Sequence, residues 1–379
     1  MKYMGSKREL LKNGLGQLLL DKASSFERFV DLFCGAGSVS WYVAERSSLP
    51  VHAIDLQDYA RILTAAVIER TSALNGEVIE RKWIKRARKA QVSNELWKPA
   101  LKTEQQTLST TKWCKEARSV RSRLEGKLSD IVWRCYGGHY FSLCQATAFD
   151  ALLKCLPTDI RERSVCHAAL IMAASMCSAS PGHTAQPFQP TRTASRYLRE
   201  AWCRDPWHYV GKALKELCNR HALKAGKAKV GDAVQFAKRT NEHDLVFIDP
   251  PYSGVHYSRF YHVLETIARS KMTEVSGTGR YPPPKDRPAS SFSRRSESGP
   301  ALASLLQSLA KSRATVIFTF PMTMCSNGLS GTDIIGYAKK LFRVKDTSVA
   351  STFSTLGGNG EHRDARNYRK ELVLFMRPK

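Results

Sequence analysis

Asp249-Pro250-Pro251-Tyr252 directly follows the apolar run Asp244-Leu245-Val246-Phe247-Ile248. Two consecutive prolines fix φ and remove two N–H donors, so a rigid corner at a strand end aims its carbonyls and flanking side chains one way. An exocyclic amine carries two hydrogens and a lone pair delocalised into its ring. One acceptor from the Asp249 carboxylate and one from the Pro250 carbonyl bind both hydrogens and favour a more tetrahedral, nucleophilic nitrogen, while Tyr252 stacks on the ring face. The corner reads as built to hold and activate a planar amino-base.

A second cluster lies near the start of the chain. The run Phe29-Val30-Asp31-Leu32-Phe33 ends in Cys34-Gly35-Ala36-Gly37-Ser38, after which Val39, Tyr42 and Val43 fall at helical spacing. Val51-His52-Ala53-Ile54-Asp55 follows as a second strand closed by an acid. A glycine turn at the carboxyl end of a strand lets backbone approach a ligand, and an acid at the end of the next strand is placed to accept both ribose hydroxyls of a nucleoside. The dinucleotide pattern GxGxxG is absent, because Ser40 stands in the place of its third glycine. A tight structural turn with a solvated acid is the competing reading.

These clusters need a sheet to position them. Strand, glycine turn, helix, strand and acid make a βαβ start, and Asp244–Asp249, Thr315–Phe320 and Glu371–Met376 read as further buried strands. The fold class is therefore α/β, with residues 1–74 and 226–379 as the sheet-bearing part. Residues 75–225 read as an inserted, mainly helical region. Residues 276–300, rich in Pro, Ser, Gly and Arg, read as a mobile basic loop.

Charge points to a partner. There are 59 Lys and Arg against 34 Asp and Glu, a formal net charge of +25, and self-repulsion of this size is tolerated mainly where a polyanion neutralises it. Nucleic acid is the leading partner. Between Arg81 and Arg134 fifteen basic residues face five acids, and Trp83, Trp97, Trp113 and Trp133 lie inside this stretch. That mixture suits a phosphate-facing surface with stacking platforms, although a tryptophan taken singly is more often core. No stretch has the ~20 apolar residues of a bilayer span. Lys2, Lys7, Arg8, Glu9 and Lys12 interrupt any secretory h-region at the start. The expected setting is soluble, reducing and cytoplasmic, nucleoid-associated when bound to DNA, and the ten cysteines read as core thiols with no metal site.

In combination these motifs resemble the S-adenosylmethionine-dependent DNA amino-methyltransferases, specifically the D12 class of adenine-N6 enzymes. Lys2-Tyr3-Met4-Gly5-Ser6-Lys7 resembles the family's N-terminal cofactor motif, Asp31 to Ser38 its glycine loop, Asp55 its ribose acid, and Gly231-Asp232-Ala233 with Phe236 its cofactor-adenine segment. Asp249 to Tyr252 matches the catalytic motif. The resemblance implies a Rossmann-like methyltransferase sheet with an inserted recognition region. It further implies cofactor contacts from Tyr3, Met4, Gly5, Lys7, Asp31, Phe33, Cys34, Gly35, Ala36, Gly37, Asp55, Leu56, Asp232 and Ala233, and catalysis at Asp249, Pro250, Pro251 and Tyr252. Methyl transfer runs directly from sulfonium to nitrogen, so Cys34 is expected to be a packing residue and not a nucleophile.

The target base inside double-stranded DNA must be rotated out, at a cost of a few kcal/mol. Tyr257 as a second aromatic wall, Arg259, Arg280, Arg287, Arg294 and Arg295 are the expected DNA contacts. Cytosine-N4 methylation, RNA adenine methylation and a non-catalytic DNA-binding regulator stand as rival readings. A homodimer and a cognate restriction endonuclease remain open as partners.

Overall fold

The computed structural model describes residues 7–124, 130–354 and 366–379. Tyr3, Met4 and Gly5 lie outside them. The described residues fall into two compact units. One takes in the chain up to Ser72 with His221–Tyr257 and Pro288–Lys379; the other takes in Ala73–Arg220 with Ser258–Arg287.

The first unit is built on a seven-stranded sheet of β1 (Arg28–Asp31), β2 (Val51–Asp55), β3 (Lys227–Val230), β4 (Asp244–Ile248), β5 (Thr315–Pro321), β6 (Phe342–Ser354) and β7 (Arg366–Pro378). Their spatial order is β3-β2-β1-β4-β5-β7-β6. Strands β1 to β5 pair in parallel, and β7 runs antiparallel to both β5 and β6. This is the α/β, Rossmann-like sheet that the motifs imply.

A parallel sheet covered on both faces buries every residue of its inner strands, which is why β4 and β5 read as unbroken apolar runs. On one face, Leu302, Leu305, Leu306 and Leu309 of the helix Ser298–Lys311 share a cluster with Val246, Ile248, Val316 and Phe318. Their i, i+3, i+4, i+7 spacing makes one stripe, and each buried leucine contributes about 1.5–3 kcal/mol.

From β1 the chain crosses through the helix Ser38–Arg46 to β2 on one side, whereas β4 and β5 lie on the other. The order therefore reverses between β1 and β4, and a ligand crevice opens beyond the carboxyl ends of strands at such a reversal. Asp31 ends β1 and Asp249 follows β4, so the two motifs flank this point from opposite sides.

The second unit is helical. Asp150, buried in the helix Leu143–Lys154, accepts the N–H groups of Val132 and Trp133 at 2.8 Å each, capping the helix Ile131–Tyr136 from a distance. Trp83, Trp113 and Trp133 are buried in this unit. They are core residues, and the stacking platforms expected from the basic, tryptophan-rich stretch are not provided by them. On the helix Gly76–Val92 the lysines and arginines are exposed and alternate with buried Ile79, Trp83, Ile84 and Ala87, as on an amphipathic helix, whereas Arg121 is buried and donates to the Arg134 carbonyl at 3.1 Å.

The helical unit also takes in residues 258–287, which the sequence reading assigned to the sheet-bearing part. The helix His262–Arg269 supplies the reason: seven of its eight residues are buried, and Thr266 Oγ1 meets the Tyr136 hydroxyl at 2.8 Å. The stretch 276–300, expected as a mobile loop, runs as loop with two short 3-10 turns up to the helix that starts at Ser298. Ser276 and Tyr281 exchange two backbone hydrogen bonds at 3.0 Å, and Phe292 and Ser293 are buried. Among the described residues no helix is long and apolar enough to cross a membrane.

Candidate active site

Three carboxylates stand at the carboxyl ends of adjacent strands. Asp31 lies opposite Phe247 in the register of β1 with β4, and opposite Ala53 in that of β1 with β2. Asp55 closes β2, and Asp249 is the residue after β4. Burial raises all three: Asp31 to about 7, Asp55 to about 6 and Asp249 to about 6.

Asp249 is held at one oxygen. Its Oδ1 lies 2.9 Å from Lys7 Nζ and accepts the Thr319 hydroxyl at 3.0 Å. Thr319 is placed there by register, since Ile248 pairs with Phe318 and the next residues of β4 and β5 face each other. Lys7 Nζ is also bonded to Glu371, on β7 opposite Pro321. Burial disfavours the Lys7 ammonium, but Asp249 and Glu371 outweigh it, so Lys7 holds its proton well above the usual lysine range. Among the described residues, the Lys7 and Thr319 contacts of Asp249 both fall on Oδ1. Tyr252 packs against the sheet core, burial pushes its hydroxyl upward, and a side-chain hydrogen bond joins it to Tyr257.

The glycine loop forms the neighbouring wall. Gly37 has φ of +79°, and a Cβ there would come within 2.8 Å of Trp41 Nε1 and 2.9 Å of Thr64 Oγ1, so only glycine fits. Asp55 fastens the loop by accepting Gly35 N–H at Oδ2, 2.9 Å, and Gln57 N–H at Oδ1, 3.0 Å. Leu56 N–H is a third backbone donor to this carboxylate. Gln57 Oε1, buried two residues further on, has no hydrogen-bond partner among the described residues. Asp31 accepts the Ser40 hydroxyl at Oδ2, 2.7 Å, and Phe33 N–H at Oδ1, 3.3 Å.

What acts on Asp31 and Asp55 is burial opposed by neutral donors, with further acids adding to Asp31. Cys34 is buried under Thr64, whose hydroxyl approaches Sγ at 3.5 Å, and burial with Asp55 and Asp31 pushes its thiol up. Such surroundings disfavour the thiolate form.

The remaining expected residues divide. Gly231 N–H bonds the Asp55 carbonyl at 2.9 Å, bringing Asp232 and Ala233 to the end of β2. Asp232 uses Oδ1 to cap the helix Ala233–Ala237 through Gln235 N–H at 3.0 Å, and Ala233 is buried beneath. Leu56 is half-buried beside Asp55, and Phe33 meets Phe292 edge-to-face at 5.1 Å. Arg294 pairs with Glu297 at 2.7 Å, and the Arg295 stem packs over Gly328.

Within the helical unit, Arg259 and Arg287 lie over the Tyr281 ring, at 4.8 and 5.7 Å from its centroid. Arg280, expected on DNA, is used differently. Its guanidinium donates to the carbonyls of Arg134 and Cys135 at 2.9 Å each, closing the carboxyl end of the helix Ile131–Tyr136.

Sequence reasoning missed Glu371, Thr319 and Ser40 as parts of the site. Glu371 carried a signal, an acid heading the apolar run Leu372–Met376, and so did Ser40 in its glycine position. Thr319 carried none.

The model of the D12 class N6 adenine-specific DNA methyltransferase family matches residues 3–105 and 180–299. No curated protein is a significant match to the chain. The two matched segments hold Lys7, the glycine loop, Asp55 and the Asp249 corner in this order. With more than half of its residues matched, the chain belongs to the D12 class of N6 adenine-specific DNA methyltransferases.

Proposed function

We propose that this enzyme takes its methyl group from S-adenosylmethionine and delivers it to N6 of an adenine rotated out of double-stranded DNA into the corner Asp249–Tyr252. The observation that carries this reading is the Asp249 carboxylate just after β4, its Oδ1 held by Lys7 and Thr319; Oδ2 and the Pro250 carbonyl then accept the two amine hydrogens.

When bound, the cofactor supplies an electrophilic methyl on a sulfonium sulfur. Asp55 accepts the ribose hydroxyls, Asp232 the cofactor amine through Oδ2, and Asp31 and Lys7 border the methionine part. Tyr3, Met4 and Gly5 complete this wall by family resemblance. Asp249 draws the N6 hydrogens out of the ring plane and so returns lone-pair density to nitrogen. Once methylated, N6 is cationic and sheds a proton, which Asp249 Oδ2 would receive. Tyr252 holds the ring, with Tyr257 fixing its hydroxyl. Positioning of this kind supplies up to ~7–11 kcal/mol of a barrier.

Arg259, Arg287, Arg294 and Arg295 are the candidate phosphate contacts. A rotated base costs a few kcal/mol, which such contacts offset. A site-specific modification enzyme of restriction-modification or orphan type is the biological setting this chemistry suits.

The test is to incubate unmethylated duplex DNA, single-stranded DNA and RNA with the protein and isotopically labelled cofactor, then resolve the nucleosides by mass spectrometry. Labelled N6-methyldeoxyadenosine, formed from duplex, is the expected product. Labelled N4-methyldeoxycytidine, a labelled ribonucleoside alone, or no label would each overturn the reading.

A further inference from the structure

Asn327 lies in the loop after β5, and its side chain is fully buried. Every polar atom of its carboxamide is used: Nδ2 donates to the Pro251 carbonyl at 3.0 Å and to the Phe292 carbonyl at 3.1 Å, and Oδ1 accepts Leu329 N–H at 3.2 Å. Its own backbone carbonyl accepts the Ser298 hydroxyl at 2.8 Å.

The proline corner explains why such a residue is needed. Pro250 and Pro251 have no N–H, so the backbone of these two residues can be tethered only through its carbonyls. Asn327 takes the Pro251 carbonyl. The adjoining Ser326 seizes the next turn of chain, its hydroxyl accepting Gly254 N–H at 2.8 Å. There the backbones run so close that a Cβ on Gly254 would lie 2.8 Å from the Ser326 carbonyl. Residues 326 and 327 thus grip the segment 251–254 at both ends. The other arm of the Asn327 amide holds Phe292, whose ring sits against Phe33 of the glycine loop at 5.1 Å. One side chain therefore links the base corner to the segment that contacts the donor wall.

We propose that Asn327 is a positioning residue for methyl transfer. By occupying the Pro251 carbonyl it turns the corner so that the Pro250 carbonyl is the one presented to the adenine amine, and through Phe292 it keeps the corner in register with the donor crevice. This rests on the assignment of Asp249–Tyr252 as the base site.

Asn327→Asp preserves size and sets oxygen where an N–H₂ faced two carbonyls. A displacement near 1 Å costs about 100-fold in rate, so the single-turnover rate of methyl transfer is expected to fall about 10- to 100-fold. Affinity for S-adenosylmethionine by calorimetry and for duplex DNA by anisotropy should stay within about threefold, because neither ligand's main contacts are touched.

A rate within about threefold of the parent, or a rate that falls in step with both affinities, overturns the proposal. Should Asn327→Asp not fold, Ser298→Ala loosens the loop without touching the corner. It should slow transfer about 3- to 10-fold at unchanged affinities, and an unchanged rate overturns the proposal equally. Asp249→Ala, run alongside, separates the two claims. An active Asn327→Asp beside an inactive Asp249→Ala removes only Asn327, whereas an active Asp249→Ala removes the base site itself.

Discussion

Replacing Glu371 by glutamine removes one negative charge from the buried Lys7 cluster and keeps its shape. Lys7 Nζ lies 2.9 Å from Asp249 Oδ1 and is bonded to Glu371 as well. Through a shared nitrogen the two carboxylates stand about 6 Å apart at most, where an effective dielectric of about 20 gives a repulsion of roughly 3 kcal/mol. At 1.36 kcal/mol per pH unit that is about two units, and about one once residual solvent screening is allowed for.

The sign follows from the causes acting on Asp249: burial raises it to about 6, Lys7 opposes and Glu371 adds. Glu371→Gln removes the addition and leaves Lys7 to Asp249 alone, so both changes move the carboxyl down. Asp249 must be ionised to accept amine hydrogens. The acid limb of the single-turnover transfer rate, expected near pH 6 in the parent if it follows the Asp249 carboxyl, should therefore move down by about one to two units. Labelled-methyl transfer measured under saturating cofactor and DNA across the acid range reads this directly. A limb that stays in place or moves upward would refute the reasoning.

Cys34→Ser should keep the transfer rate within about threefold, since a buried neutral thiol has no covalent role; a loss above about 100-fold in steady-state assays contradicts this. Gly37→Ala forces a side chain into φ +79° against Trp41 and Thr64 and should cost about 1–3 kcal/mol, read as a lowered melting temperature together with weaker cofactor binding. Asp55, raised to about 6 by burial, accepts hydroxyls best when ionised. Cofactor affinity should therefore be flat above that pH and fall about tenfold per unit below it, and calorimetry showing a pH-independent affinity would count against Asp55. Affinity for duplex DNA should fall by about 10³-fold or more between 50 and 200 mM salt if several phosphates are neutralised, and a flat response would remove the arginines from the interface.

The strands that carry the site were legible because they are central and parallel. Phe29–Asp31, Val51–Asp55, Asp244–Ile248 and Thr315–Phe320 are buried on both faces and so announce themselves as apolar runs. The edge strand Lys227–Val230 was not, since its lysines are exposed and only Ala228 is buried. Phe342–Ser354 was missed for a similar reason, being a polar hairpin arm with its hydrogen bonds supplied by β7.

Motif residues that contact a ligand through their own loop could be found in order along the chain. Lys7 and Glu371 are 364 residues apart and meet only because β7 returns antiparallel beside β5. No local pattern encodes that. Arg280 shows the opposite failure: a charge in a basic, glycine-rich stretch looked free for phosphate, yet a helix end nearby offered carbonyls that only the folded chain reveals. Of the tryptophans of residues 81–134, Trp83, Trp113 and Trp133 followed the commoner fate of that residue type and went into the core, while Trp97 is half-buried.

The central claim is that Asp249 receives the adenine amine while other residues hold the cofactor. Asp249→Ala, assayed with labelled cofactor and unmethylated duplex DNA, tests it most directly. The account expects labelled N6-methyldeoxyadenosine to vanish while cofactor affinity stays within about threefold of the parent. Continued formation of that nucleoside at an appreciable rate, or loss of cofactor binding along with activity, would contradict it.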